Sequence, residues 1–111
     1  MKVLVNARHI ERNKEMIEYV KRRLQFALGE KFERVKRVNV TLSDINGPKG
    51  GNDKRCLMVL RLKGQADVVI DTLHTKLHAA IDRAAERAAR SVSKRINRSR
   101  QRSIRYKPVI A

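Results

Sequence analysis

Tryptophan is absent from this chain, and aromatic residues make up only 4% of it. That scarcity argues against a single-strand binder that seats successive bases on a platform of rings, so recognition of nucleic acid is expected to rest on phosphates and shape. Cys56 is the only cysteine. No intrachain disulfide and no cysteine-based zinc cluster can therefore form, and a reducing cytoplasm fits this usage best. No apolar run approaches the ~20 residues of a spanning helix, and the opening MKVLVNARHI lacks the long apolar segment of a secretory signal. Negative charge is also scarce: 11 Asp and Glu stand against 27 Lys and Arg, a formal charge of +16 on 111 residues. Such an excess goes beyond what solubility requires and implies a polyanionic partner, nucleic acid rather than membrane. The length suits one compact domain with a real core.

Hydrophobic periodicity divides what is there. Residues 2–7 set Val3 and Val5 against Leu4 and Asn6 and read as a first strand. Asn13 is placed to cap a helix carrying Ile17, Val20, Leu24 and Ala27 at helical spacing, with Gly29 as its stop. From 35 to 43 the period becomes two, with Val38, Val40 and Leu42 on one side and Arg37, Asn39 and Thr41 on the other. Residues 46–52, rich in Gly and holding Pro48, read as a mobile hairpin loop. A third strand over 55–63 puts Cys56, Met58, Leu60 and Leu62 on one face, and a tight turn at Lys63, Gly64 and Gln65 leads to a fourth over 66–70. A long helix is expected from about 72 to 97, with Leu73, Leu77, Ile81, Ala84, Ala88 and Val92 in one apolar stripe.

This order, β-α-β-β-β-α, predicts an α/β fold of the α+β kind. It is a two-layer sandwich in which a four-stranded mixed sheet carries both helices on one face. The first two strands flank a helix and should be parallel, and the later ones should pair as hairpins. Residues 1–98 form the domain in this reading, and 99–111 a flexible basic tail.

On the second helix Lys76, Arg83, Arg87, Arg90 and Lys94 follow spacings of 7, 4, 3 and 4. At about 100° per residue they stay within one narrow sector, facing solvent while the alanines face the sheet. An ordinary exposed helix face mixes signs to form i,i+4 pairs, yet only Asp82 and Glu86 oppose these cations, with Glu86 in reach of Arg83 or Arg90. A row of cations spaced ~5–6 Å apart suits an RNA phosphate path. Lys21, Arg22 and Arg23 on the first helix, beside Lys14, widen the surface.

Other constellations carry less. Asp71, His74, His78 and Asp82 have helical spacing, but the glutamate of a zinc protease motif is missing, and no metal or other cofactor is expected. Cys56 lies on an alternating strand face and reads as a small core residue, and the glycine loop lacks the lysine-serine pair of a nucleotide cradle, although Lys49, Lys54 and Arg55 are within reach of RNA there. No catalytic apparatus and no small-molecule substrate are expected.

The segments VNARHIERNKEMIEYVKRRL, VKRVNVTLSD and KLHAAIDRAAERAARSVSKRI resemble the ribosome hibernation promoting factor and ribosome-associated translation inhibitor family, in its short form. The likeness runs from residue 1 to about 98, and Ala79, Ala80, Ile81 and Asp82 are its most specific piece. The resemblance implies a cytoplasmic protein in the messenger and transfer RNA channel of the small ribosomal subunit. It would hold ribosomal RNA, compete with messenger and transfer RNA, inhibit translation and be monomeric when free. By position it points to Lys21, Arg22 and Arg23 and to Arg83, Arg87, Arg90, Lys94 and Arg95, although Arg95 falls nearer the apolar sector. His78 stands where the family often has tyrosine, the glycine loop is longer than in compact members, and residues 99–111 are too few for the second domain with which some members pair ribosomes. The competing readings are a regulatory protein-interaction module of the sigma-factor modulator kind and a generic double-stranded nucleic-acid binder. The strand that precedes the first helix counts against a standard double-stranded RNA domain.

Overall fold

In the computed structural model the backbone is described for residues 2–45 and 53–105, and side chains as far as Arg98. The glycine loop with Lys49, and residues 106–111, lie outside the described residues.

Strand β1, Lys2–Arg8, leads into helix α1, Lys14–Leu28. Asn13 begins that helix because its extended backbone turns the side chain inward, where Oδ1 accepts the Met16 N–H at 2.8 Å. Gly29 ends it at φ 55°, ψ −128°, a conformation reserved for glycine, and donates its N–H to the Gln25 carbonyl. A 3-10 segment, Gly29–Arg34, then delivers the chain to β2, Val35–Asp44. Strands β3, Lys54–Leu62, and β4, Val68–His74, precede the long helix α2, Leu77–Arg105.

The sheet order is β1-β2-β3-β4, with β1 parallel to β2 and the other pairs antiparallel, as the crossover and hairpins require. Register aligns the inward residues into rows: Val5, Val40, Met58 and Ile70 form one, and Val38, Leu60 and Val68 continue the next from Val3. A bulge at Lys36 inserts one residue into β2, so that Val35 and Val38 both face inward despite their odd spacing. Against this face pack Val20, Leu24 and Leu28 of α1 and Ala80, Ile81, Ala84, Ala85, Ala88 and Val92 of α2, all buried. The alanines have no side chain beyond Cβ and let α2 approach the sheet closely. Both helices thus cover one face, and the other face is left open.

Two boundaries differ from expectation. Strand β4 runs to His74 instead of ending at Ile70, so Thr72 and Leu73 are not helical. The four-residue spacing of Leu73 and Leu77 imitates a helix, but the inward alternation of Val68, Ile70 and Thr72 prevails. Thr72 is buried and its hydroxyl donates to the Ala80 carbonyl at 2.8 Å, tying the strand to α2. Leu73, expected to head the apolar stripe, instead lies on the open sheet face with 47% of its surface exposed. Helix α2 also continues to Arg105, past residue 98, consistent with the good helix propensity of Arg and Gln.

Candidate nucleic-acid interface

Burial of Ile81, Ala84, Ala88 and Val92 fixes the rotation of α2, so Arg83, Arg87, Arg90 and Lys94 are all exposed on its outer side. Lys76 does not join them on the helix. It sits in the turn before α2, where its N–H donates to His74 Nδ1 at 3.0 Å and its carbonyl accepts the Ala80 N–H at 3.1 Å. Its side chain is exposed beside the row but is not held in register with it.

Helix α2 is tied through two arginines to β4 and the turn before it. Arg87 donates through Nη1 to the Asp71 carbonyl at 3.0 Å, and Arg95 through Nη1 to the Ala66 carbonyl at 2.9 Å. Arg95 is half-buried, in keeping with its place nearer the apolar sector.

Asp82 and Glu86 turn the other way, toward α1. Arg23 donates through Nε to Asp82 at 2.8 Å and lies 3.9 Å from Glu86, so Glu86 meets a cation of α1 instead of Arg83 or Arg90. The Tyr19 hydroxyl donates to the same Asp82 oxygen at 2.5 Å, and its edge-on ring meets His78 at 4.5 Å between centroids. That hydrogen bond to a carboxylate, helped by burial, raises the Tyr19 pKa above its ordinary value. The acids of α2 are therefore spent on joining the helices, and Arg23 acts as a strut in that joint. Among the described residues Arg83, Arg90 and Lys94 form no ion pair.

Helix α1 exposes Lys14, Lys21 and Arg22; Arg22 borders a shallow recess with Asn13, Met16, Tyr19 and His78. Sequence reasoning missed Tyr19 as part of the joint, and also Phe26, which is 80% exposed beside Arg23. An aromatic two positions after Leu24 points away from the core face at helical spacing, which was the available signal for Phe26. None marked Tyr19, whose partner lies on another helix.

The remaining chemistry-bearing residues are dispersed. Asp71 takes two bonds from Arg55, at 2.8 and 2.6 Å, on the open sheet face, while His74 caps the turn and His78 rests against Tyr19. Among the described residues no three His, Cys, Asp or Glu side chains are grouped to hold a metal. Lys54 bridges Asp44 at 2.8 Å and Asp53 at 3.2 Å, so it and Arg55 are engaged within the protein. Burial pushes the Cys56 thiol up to about 12. No helix among the described residues is long and apolar enough to cross a membrane.

The family described as Sigma 54 modulation protein / S30EA ribosomal protein matches residues 3–100. The chain belongs to this family. It is the family to which the sequence resemblance pointed, and two solved structures are similar to the chain in fold. The N-terminal domain of Protein Y from Thermus thermophilus is 25% identical, with 84% of this chain and 93% of that one covered at a TM-score of 0.66. A ribosomal subunit interface protein from Coxiella burnetii aligns over 87% of this chain and 99% of its own at a TM-score of 0.74, and its 11% identity makes that a likeness of fold alone. No curated protein matches the sequence. Within this family's fold, the cationic row and the helix joint occupy the layer opposite the open sheet face.

Proposed function

We propose that this S30EA-family protein binds ribosomal RNA of the small subunit in the messenger and transfer RNA channel and inhibits translation from there, in the cytoplasm and without a catalytic step. The observation that carries this reading is the exposed row of Arg83, Arg87, Arg90 and Lys94, whose neighbouring acids are turned away to Arg23 and Tyr19. Arg83, Arg90 and Lys94 carry no ion pair among the described residues, and Arg87 is engaged only at its edge by the Asp71 carbonyl. Such exposed cations neutralise phosphates and release counterions, and the guanidinium forks match phosphate oxygens bidentately. Lys21 and Arg22 extend the same chemistry onto α1, with Lys76 and Arg95 at the margins and Arg23 bracing the two helices. Messenger and transfer RNA are polyanions seated in a channel built largely of RNA, so a compact cationic body held there competes with both.

The row is tested by changing Arg87, Arg90 and Lys94 together to Glu. Circular dichroism should barely change, because all three side chains are exposed, whereas cosedimentation with purified small subunits should be lost. In a cell-free reaction the unaltered protein should lower initiation, and excess initiator transfer RNA with messenger should relieve the block. Equal ribosome binding by the triple variant would refute the role of the row. A chain that ignores ribosomal particles and copurifies with a sigma factor would favour the other half of the family's description.

A further inference from the structure

Phe26 has the most exposed large apolar side chain among the described residues, at 80% of its surface, and it lies at the edge of the cationic face. It contributes nothing to the core, which α1 reaches through Val20, Leu24 and Leu28. Its ring borders a shallow recess between the helices, together with Arg23, Ala27, Glu86, Ala89 and Arg90. The two alanines keep the floor low. The Arg23 guanidinium carbon stands over the ring at 5.7 Å from its centroid, and Arg23 is itself held by Asp82 at 2.8 Å, which restrains it beside the ring.

We propose that Phe26 is a stacking site for one unpaired RNA base, set into a surface that otherwise reads phosphates. The inference rests on the RNA-binding reading above and adds to it a position where the target must be single-stranded. A flat apolar floor with cations on its rim is complementary to a nucleotide: the base lays its π-face on the ring while Arg90 takes the adjoining phosphate. A base within a continuous duplex has both faces covered by its neighbours, so only a bulged, looped or terminal nucleotide satisfies this site. An apolar protein partner fits less well, because a single ring bordered by two arginines and a glutamate offers too little continuous apolar area.

The absence of tryptophan supplies a reporter, since Phe26→Trp places a single indole at this position. Purified small ribosomal subunits serve as the probe. Phe26→Ala should weaken binding about tenfold and leave the salt dependence unchanged, because no phosphate contact is removed. Phe26→Leu should bind as weakly as the alanine variant. Phe26→Trp should keep the original affinity and lose indole emission on binding, as a stacked base quenches it. All three variants should keep the original urea midpoint, since the ring is exposed. Wild-type affinity in Phe26→Ala, restored affinity in Phe26→Leu, or undimmed emission from bound Phe26→Trp would each overturn the stacking site while ribosome binding itself stood. Failure of the unaltered protein to bind small subunits would overturn both readings.

Discussion

Asp71 and Arg55 clasp each other across β3 and β4 on the sheet face that no helix covers. The hydrogen bonds from Arg55 hold the Asp71 carboxyl below its ordinary value of 3.8, and each charge favours the other. Because the folded carboxyl ionises more readily than the unfolded one, the pair stabilises fully above that ordinary value and loses its effect as pH falls through the lowered folded value. Asp71→Asn should therefore lower the urea midpoint at neutral pH by the equivalent of about 0.5 kcal/mol, the scale of a solvent-screened pair. The gap to the unaltered protein should close in strong acid, and one that persisted there would show that the residue acts through packing instead. At this scale legibility was uneven. Cys56 was readable as a core residue from alternation alone, whereas the Tyr19, Arg23 and Asp82 joint was not, since it depends on how two helices distant in sequence come to lie side by side.

Elements with a clean period were legible. In β3, and in β2 from Val38 onward, the inward residues are the ones alternation selects, and Asn13 caps α1 as its position suggests. Asn13→Ala should cost about 1 kcal/mol, read as a lower unfolding midpoint, with Asn13→Asp close to neutral because its oxygen can make the same bond. A midpoint unmoved by the alanine would mean that packing alone sets the start of α1. Legibility failed where two periods overlap. Residues 68–77 satisfy both an alternating and a helical pattern, and the strand prevails where they pair with β3 and turn Val68, Ile70 and Thr72 inward, a pairing between segments that no local pattern reports. The same overlap put Lys76 on a helix that begins one residue later.

For the molecule as a whole, the formal charge of +16 implies a polyanionic partner without recourse to a structure. Which polyanion it is was not readable from charge, because duplex, single strand and ribosomal RNA all present phosphates; the family resemblance supplied that direction. If about six phosphates are neutralised, affinity for small subunits should fall about a thousandfold or more between low and moderate salt. Titrations of binding against ionic strength would show this as a steep line on logarithmic axes, and a nearly flat line would exclude phosphate neutralisation as the source of affinity.

The parallel seating of β1 has a kinetic consequence. Val5 meets Val40 only after the whole of α1 and the 3-10 segment have been threaded between them, while Met58 meets Ile70 across one tight turn. Closing the longer loop costs more chain entropy before any contact rewards it, so the hairpin contacts should form first on the way to the native state. Val5→Ala should then mainly speed unfolding and Ile70→Ala mainly slow refolding, a contrast that stopped-flow chevrons of the two variants would display. Equal slowing of refolding by both would place β1 in the transition state. With the expected outcome, the amino-terminal strand is the last to be seated and the first to exchange its amide hydrogens.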